Sequence, residues 1–104
     1  MIVTTTDNLP DKEVIQILGI ARGSTVRARN IGRDIFAVLK NVVGGEIEEY
    51  TKLQADAREQ AFGRMILDAK NIDADAVINF RFSTSLITQG ASEVLAYGTA
   101  VRLD

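Results

Sequence analysis

The chain of 104 residues contains no cysteine, no histidine and no tryptophan, and it has a single proline. Without cysteine there can be no disulfide, and without thiolate or imidazole the usual ligands for zinc, copper and nickel are missing. The same two absences exclude serine–histidine and cysteine–histidine catalysis, which need a nucleophile beside an imidazole base. Any catalysis would fall to carboxylates, lysine, tyrosine or a hydroxyl, and the sequence singles out none of them. Neither an enzyme nor a bound cofactor is expected.

Long apolar runs are also lacking: none approaches the ~18 residues that would span a bilayer. The opening MIVTTTDN has neither the basic nor the long apolar region of a secretion signal. The expected location is the cytoplasm, with no membrane partner. Apolar residues make up 46% and charged residues 25%, a balance that fits one globular domain over residues 1–104. Net charge is −2 but unevenly spread: residues 1–44 carry six basic and four acidic side chains, residues 45–75 four basic and eight acidic. Such polarity can draw copies of one chain together. Basic clustering is confined to Arg22, Arg27, Arg29 and Arg33 with no aromatic residue between them, which argues against nucleic acid as a partner.

What is present reads as two strands, two helices and two further strands. Residues 2–6, IVTTT, form a short β-branched strand, followed by turn chemistry at Asn8, Pro10 and Asp11. Val14 to Ala28 is a second strand with Gly19 and Gly23 as bulges or bends. Its first half is apolar on both alternating faces, with Ile15 and Ile17 on one and Val14, Leu18 and Ile20 on the other. Asn30 suits a helix N-cap, and Ile31, Ile35, Leu39 and Val42 follow at helical spacing to about Val43. Gly44 and Gly45 then end that helix.

A second helix is predicted from near Glu46 to about Asn71. Tyr50, Leu53, Ala57, Ala61, Met65 and Ala69 make an apolar stripe, widened by Phe62 and Ile66, and Lys52, Asp56, Glu59, Arg64, Asp68 and Lys70 lie on the polar side. After a turn at Asp73 to Asp75, one strand places Ile78, Phe80 and Phe82 on one face and Asn79, Arg81 and Ser83 on the other. The last strand sets Leu95, Tyr97, Val101 and Leu103 against the small Ala96, Gly98 and Ala100, and the two pair as a hairpin. The fold class is therefore α+β, in the order ββααββ, with a mainly antiparallel sheet and two helices on one face. Its strands hold more apolar surface than one side of a sheet can hide, so burial against further copies of the chain is expected.

Three features invite a functional reading. The double glycine in NVVGGEIEEY lacks the preceding strand and the following lysine and hydroxyl of a phosphate loop, and acidic residues come after it, so it reads as a helix junction. Arg33 and Asp34 could stand at a boundary between copies with Arg33 holding an anionic ligand, though an acid and an arginine at a helix start are also ordinary capping chemistry. Glu48 and Glu49 point about 100° apart on a helix and cannot converge within one chain; symmetry between copies could bring equivalent acids together as a weak site for a hard cation.

The run RNIGRDIFAVLKNVVGGEIEEYTKLQADAREQAFGRMILDA, the following DADAVI and the terminal YGTAVRL resemble the YbjQ-like family of small prokaryotic proteins. The matching positions are Asn30, Arg33 and Asp34; Gly44, Gly45 and Tyr50; Ala57, Arg58 and Glu59; and Gly98, Thr99, Ala100 and Val101. The chain departs from that pattern at Ala28 and Arg29, at Asp73 and Asp75, and over Asn79 to Phe82. The resemblance implies a dodecin-like α+β subunit in a homopentameric ring, with strands completing the sheet between neighbours. It implies a heavy-metal-binding label as well, on a chain that has neither of the ligands soft metals favour. Asn30, Arg33 and Asp34 become the candidate ligand-binding residues, and Gly44, Gly45, Tyr50, Arg58, Gly98 and Thr99 a structural motif. The function expected is that of a non-enzymatic oligomeric binding or scaffold protein, with a ring that holds a small ligand or metal at its subunit interfaces as the alternative.

Overall fold

The computed structural model describes residues 1–28, 48–88 and 90–104. The elements are β1 (Ile2–Val3), β2 (Val14–Ala28), α1 (Glu48–Asn71), β3 (Ala76–Thr88) and β4 (Ala91–Leu103). The four strands form one sheet in the order β1-β3-β4-β2. β1 pairs parallel with β3, and the other two pairings are antiparallel. This is an α+β architecture with a mostly antiparallel sheet, as the sequence pattern predicts. The helix predicted over residues 31–43 and the double glycine after it lie outside the described residues.

The contact that organises the fold is α1 lying across β2 and β4. Its stripe of Ala57, Ala61, Met65 and Ala69 is buried against Ala21, Val94, Ala96 and Ala100 of the sheet. Nearly every residue here is small, so helix and sheet backbones approach closely. At Gly23 a Cβ atom would stand 2.2 Å from the Met65 amide nitrogen and 2.5 Å from the Ala61 carbonyl oxygen. The register with β4 runs unbroken through Gly23. Gly23 is therefore no bulge, as its place in a strand suggested, but the point where the helix touches the sheet. Gly19 does sit at a register shift, with φ at +139°.

A second departure concerns β3. Strict alternation puts Ile78, Phe80 and Phe82 on one face, but Asn79 adopts φ 54° and the β3–β4 register shifts between Ile78 and Arg81. The inserted residue flips the parity. Ile78 consequently packs with Ala76 and Val101 on the side away from α1, where Leu9, Val14 and Leu103 help to cover it. Phe80 turns to the helix side and stands edge-on to Phe62 and to Phe82, with centroids 5.5 and 4.8 Å apart.

β1 is shorter than the predicted strand over residues 2–6. Thr4 and Thr6 turn their hydroxyls into local bonds, the Thr6 amide donating to Thr4 Oγ1 and the Thr6 hydroxyl to the Asn8 carbonyl, and such side-chain bonds compete with regular pairing. Backbone bonds to β3 still continue past Val3, from the Thr4 amide to the Val77 carbonyl and from the Asn79 amide to the Thr6 carbonyl. At its other end α1 stops in a Schellman motif. The Ala74 amide reaches the Ala69 carbonyl and the Asp73 amide the Lys70 carbonyl, with Asp73 in the left-handed conformation at φ 59°.

The protomer is long and thin, 54 × 26 × 16 Å, with a radius of gyration of 17.2 Å against roughly 13 Å for a compact chain of this length. Three stability outcomes follow, each read by urea unfolding. Gly23→Ala forces backbone apart at the helix contact and should cost about 1–3 kcal/mol, whereas Gly63→Ala, with open space around it on the helix, should gain about 0.5–1 kcal/mol. Asp73→Gly relieves both the left-handed strain and a carboxylate at the negative end of a helix, and should stabilise by about 1 kcal/mol.

Candidate functional site

β2 lies at the outside of the sheet, so every second residue aims its amide and carbonyl away from β4. Two of these groups meet α1. The Arg22 amide donates to Asp68 Oδ2 at 3.0 Å, and Arg64 Nη1 donates to the Ser24 carbonyl at 2.6 Å. The pairing works because the repeats match: four helix residues rise about 6 Å and two strand residues about 6.6 Å. With Gly23 holding the helix against the strand between them, Arg64 and Asp68 act as a stand-in for a neighbouring strand over this short span. Both bonds involve a charged partner, the stronger kind, and they satisfy backbone groups that an edge leaves open.

The sheet face away from α1 is less covered. Arg22 of β2, Tyr97 of β4 and Arg81 of β3 stand in register across it. Arg81 is tied back to the β1 side, where its Nη1 donates to the carbonyls of Thr5 and Phe80. Ile17 and Ile20 on this face are 69% and 67% exposed. A shallow depression at the start of β2 is lined by Leu9, Pro10, Asp11, Lys12, Glu13 and Asp104. It is open, and its ionisable side chains Asp11, Lys12, Glu13 and Asp104 are all exposed.

Of the residues singled out from sequence, Asn30, Arg33, Asp34, Gly44 and Gly45 lie outside the described residues. Tyr50 belongs to the first turn of α1. Arg58 is exposed on the outer side of the helix. Gly98 is structural: a Cβ there would meet Val77 Cγ1 at 2.4 Å and the Ile78 carbonyl at 2.9 Å. Thr99 stands half-buried on the opposite face between Ile20 and Ile78. The described members of the set thus do not converge. The clamp residues Arg64 and Asp68 read from sequence as ordinary members of the polar helix face. The signal for them was an opposite-charge pair four apart on either side of Met65.

Among the described residues no three of Asp, Glu, His or Cys come together as a metal site. The chain as a whole has no thiolate and no imidazole, and of its two thioethers Met65 is wholly buried in the core. That donor set does not fit a soft, heavy metal.

Comparison with known proteins places the chain. The YbjQ family model, described as "putative heavy-metal-binding", matches residues 1–104. A UPF0145 protein of Archaeoglobus fulgidus is 59% identical over 103 residues, covering 99% of this chain and 95% of its own. A UPF0145 protein of Methanosarcina acetivorans is 52% identical, covering 99% and 97%. Among solved structures, a Pediococcus pentosaceus protein of unknown function from the DUF74 family superposes with a TM-score of 0.65 over 100% of this chain and 98% of that one. At 15% identity that likeness concerns the fold alone. Matched from end to end by the family model and more than half identical to these two relatives, the chain belongs to the YbjQ family of UPF0145 proteins.

Proposed function

We propose that this protein is a non-enzymatic building block, a dodecin-like subunit that closes with its own copies into a homopentameric ring and serves in the cytoplasm as a scaffold. One observation carries the proposal: the large apolar side chains of the strands stand in water. Ile15, Ile17 and Ile20 of β2 and Phe82, Leu86 and Ile87 of β3 are all exposed in the protomer. Isolated exposed leucines or isoleucines are common, but six large side chains like these, in two groups on the strands that flank β4, are apolar surface of the kind that proteins bury against a partner. The thin, extended protomer supports the same reading, since copies laid side by side would supply the bulk that one subunit lacks. The count of five subunits rests on the family likeness.

Binding of a heavy metal is not part of the proposal. The family description suggests it, yet a chain without thiolate or imidazole, rich in carboxylates, is better suited to hard cations. Sedimentation velocity at micromolar concentration should give a single assembly larger than a monomer, and a clean monomer would sink the proposal. Calorimetric titration with Cd²⁺ and Zn²⁺ should show no saturable uptake, and neither ion should raise Tm, as a native-state ligand must.

A further inference from the structure

We infer that the sheet face away from α1 binds a small aromatic phosphate of the nucleotide class, its ring on Tyr97 beside Arg22 and its phosphoryl group on Arg81. Such a site is independent of the ring of subunits and needs only that this row stay open in the assembly.

Along the chain the basic cluster has no aromatic residue beside it; the sheet supplies one. Tyr97 of β4 comes to lie between Arg22 of β2 and Arg81 of β3. The Arg22 amide is turned outward to Asp68, so Arg22 and Tyr97 are a pair that exchanges no hydrogen bonds. Pairs of that kind have Cα atoms about 4.5 Å apart and side chains closest together. Tyr97 is 36% exposed, and the arginines on either side of it are exposed as well.

Charge on this face is unbalanced. β2, β3 and β4 hold Arg22, Arg27, Arg81 and Arg102 but a single acid, Glu93. Glu93 stands four residues from Tyr97, about 13 Å along the strand. The neighbouring rows, Ile78, Thr99 and Ile20 on one side and Ser83, Leu95 and Ser24 on the other, bring hydroxyls and aliphatic groups and no acid. Asp68 meets Arg22 through the backbone amide. Charges that face one another across strands are stabilising when opposite in sign. Here the described strands offer no match, and an anion from solution is the complement.

The row separates a place for a ring from a place for a phosphate. Arg81 Nη1 donates to the Thr5 carbonyl at 3.1 Å and to the Phe80 carbonyl at 2.7 Å. One acceptor belongs to β3 and the other to its β1 side, so the guanidinium is held over β3 and not over Tyr97. Those bonds take two of its five donors and fix the group in place. A planar ring resting on Tyr97 then has a fixed charge about one strand spacing away, ~5 Å. Bare phosphate uses only the arginine. A nucleotide, with a sugar between ring and phosphoryl group, uses both, and Arg22 adds donors for the heteroatoms of the ring. Two arginines are too little charge for a polynucleotide, whose affinity grows with every phosphate neutralised.

The chain has no tryptophan and two tyrosines, so in a Tyr50→Phe protein all the emission comes from Tyr97. Titration of that protein, assembled as purified, with adenosine 5′-monophosphate should quench the emission saturably. By calorimetry, Tyr97→Leu and Arg81→Gln should each weaken nucleotide binding about tenfold. Inorganic phosphate should bind more weakly than the nucleotide and be indifferent to Tyr97→Leu. Emission that is not quenched saturably overturns the inference, as does a Tyr97→Leu protein that binds the nucleotide as the wild type does. An oligonucleotide held more tightly than the mononucleotide, with a salt dependence that reports more than two phosphates neutralised, overturns it in favour of a nucleic-acid surface. A monomer in solution that is quenched in this way sinks the ring proposal and supports the site.

Discussion

A helix can lie against a sheet at backbone distance only where both surfaces are short of side-chain atoms, and this protein depends on that contact. Ala57, Ala61 and Ala69 on α1 face Ala21, Gly23, Ala96 and Ala100 on the sheet, with Met65 the one bulky side chain wholly enclosed among them. Because the small residues belong to β2 and β4, the helix settles over those strands and leaves β3 at the margin, where Val77 and the edge contact of Phe80 with Phe62 join it to the helix side. The position of the helix decides which edge it can close and which apolar side chains it cannot shelter.

The same contact governs the outer edge of β2. Only a helix held this near could bring Asp68 to the Arg22 amide and Arg64 to the Ser24 carbonyl. Edge closure here is local, and the flanking stretches of β2 keep their hydrogen-bonding groups and their isoleucines. Among the described residues, β2 has a partly closed outer edge and β3 an outer edge that no described strand flanks beyond Arg81, with exposed apolar side chains on both strands.

Much of this was legible in the sequence. The bounds of β2, the end of α1 at Asn71, the hairpin of β3 and β4, and the alternation that puts Ala96, Gly98 and Ala100 under the helix all follow from periodicity and turn chemistry. Two features were not. The flip at Asn79 was hidden because an asparagine in a strand signals nothing unless its φ is known, and a single inserted residue reverses every assignment on one side of it. The role of Gly23 was hidden because glycine marks both a bend and a close approach, and only the neighbouring helix tells them apart. Of the candidate site, the sequence showed Arg64 and Asp68 as charged surface, and the strand groups they meet are 40 and 46 residues away along the chain.

The match of helix rise to strand rise at the clamp places an unusual restriction on how the protein can change over time. A substitution at most neighbouring surface positions leaves the geometry intact. An insertion or deletion of one residue between Arg64 and Asp68 would swing one of them through about 100°, and one between Arg22 and Ser24 would turn a strand group to the other side. In these two short stretches it is the number of residues, more than their kind, that the lineage is not free to alter.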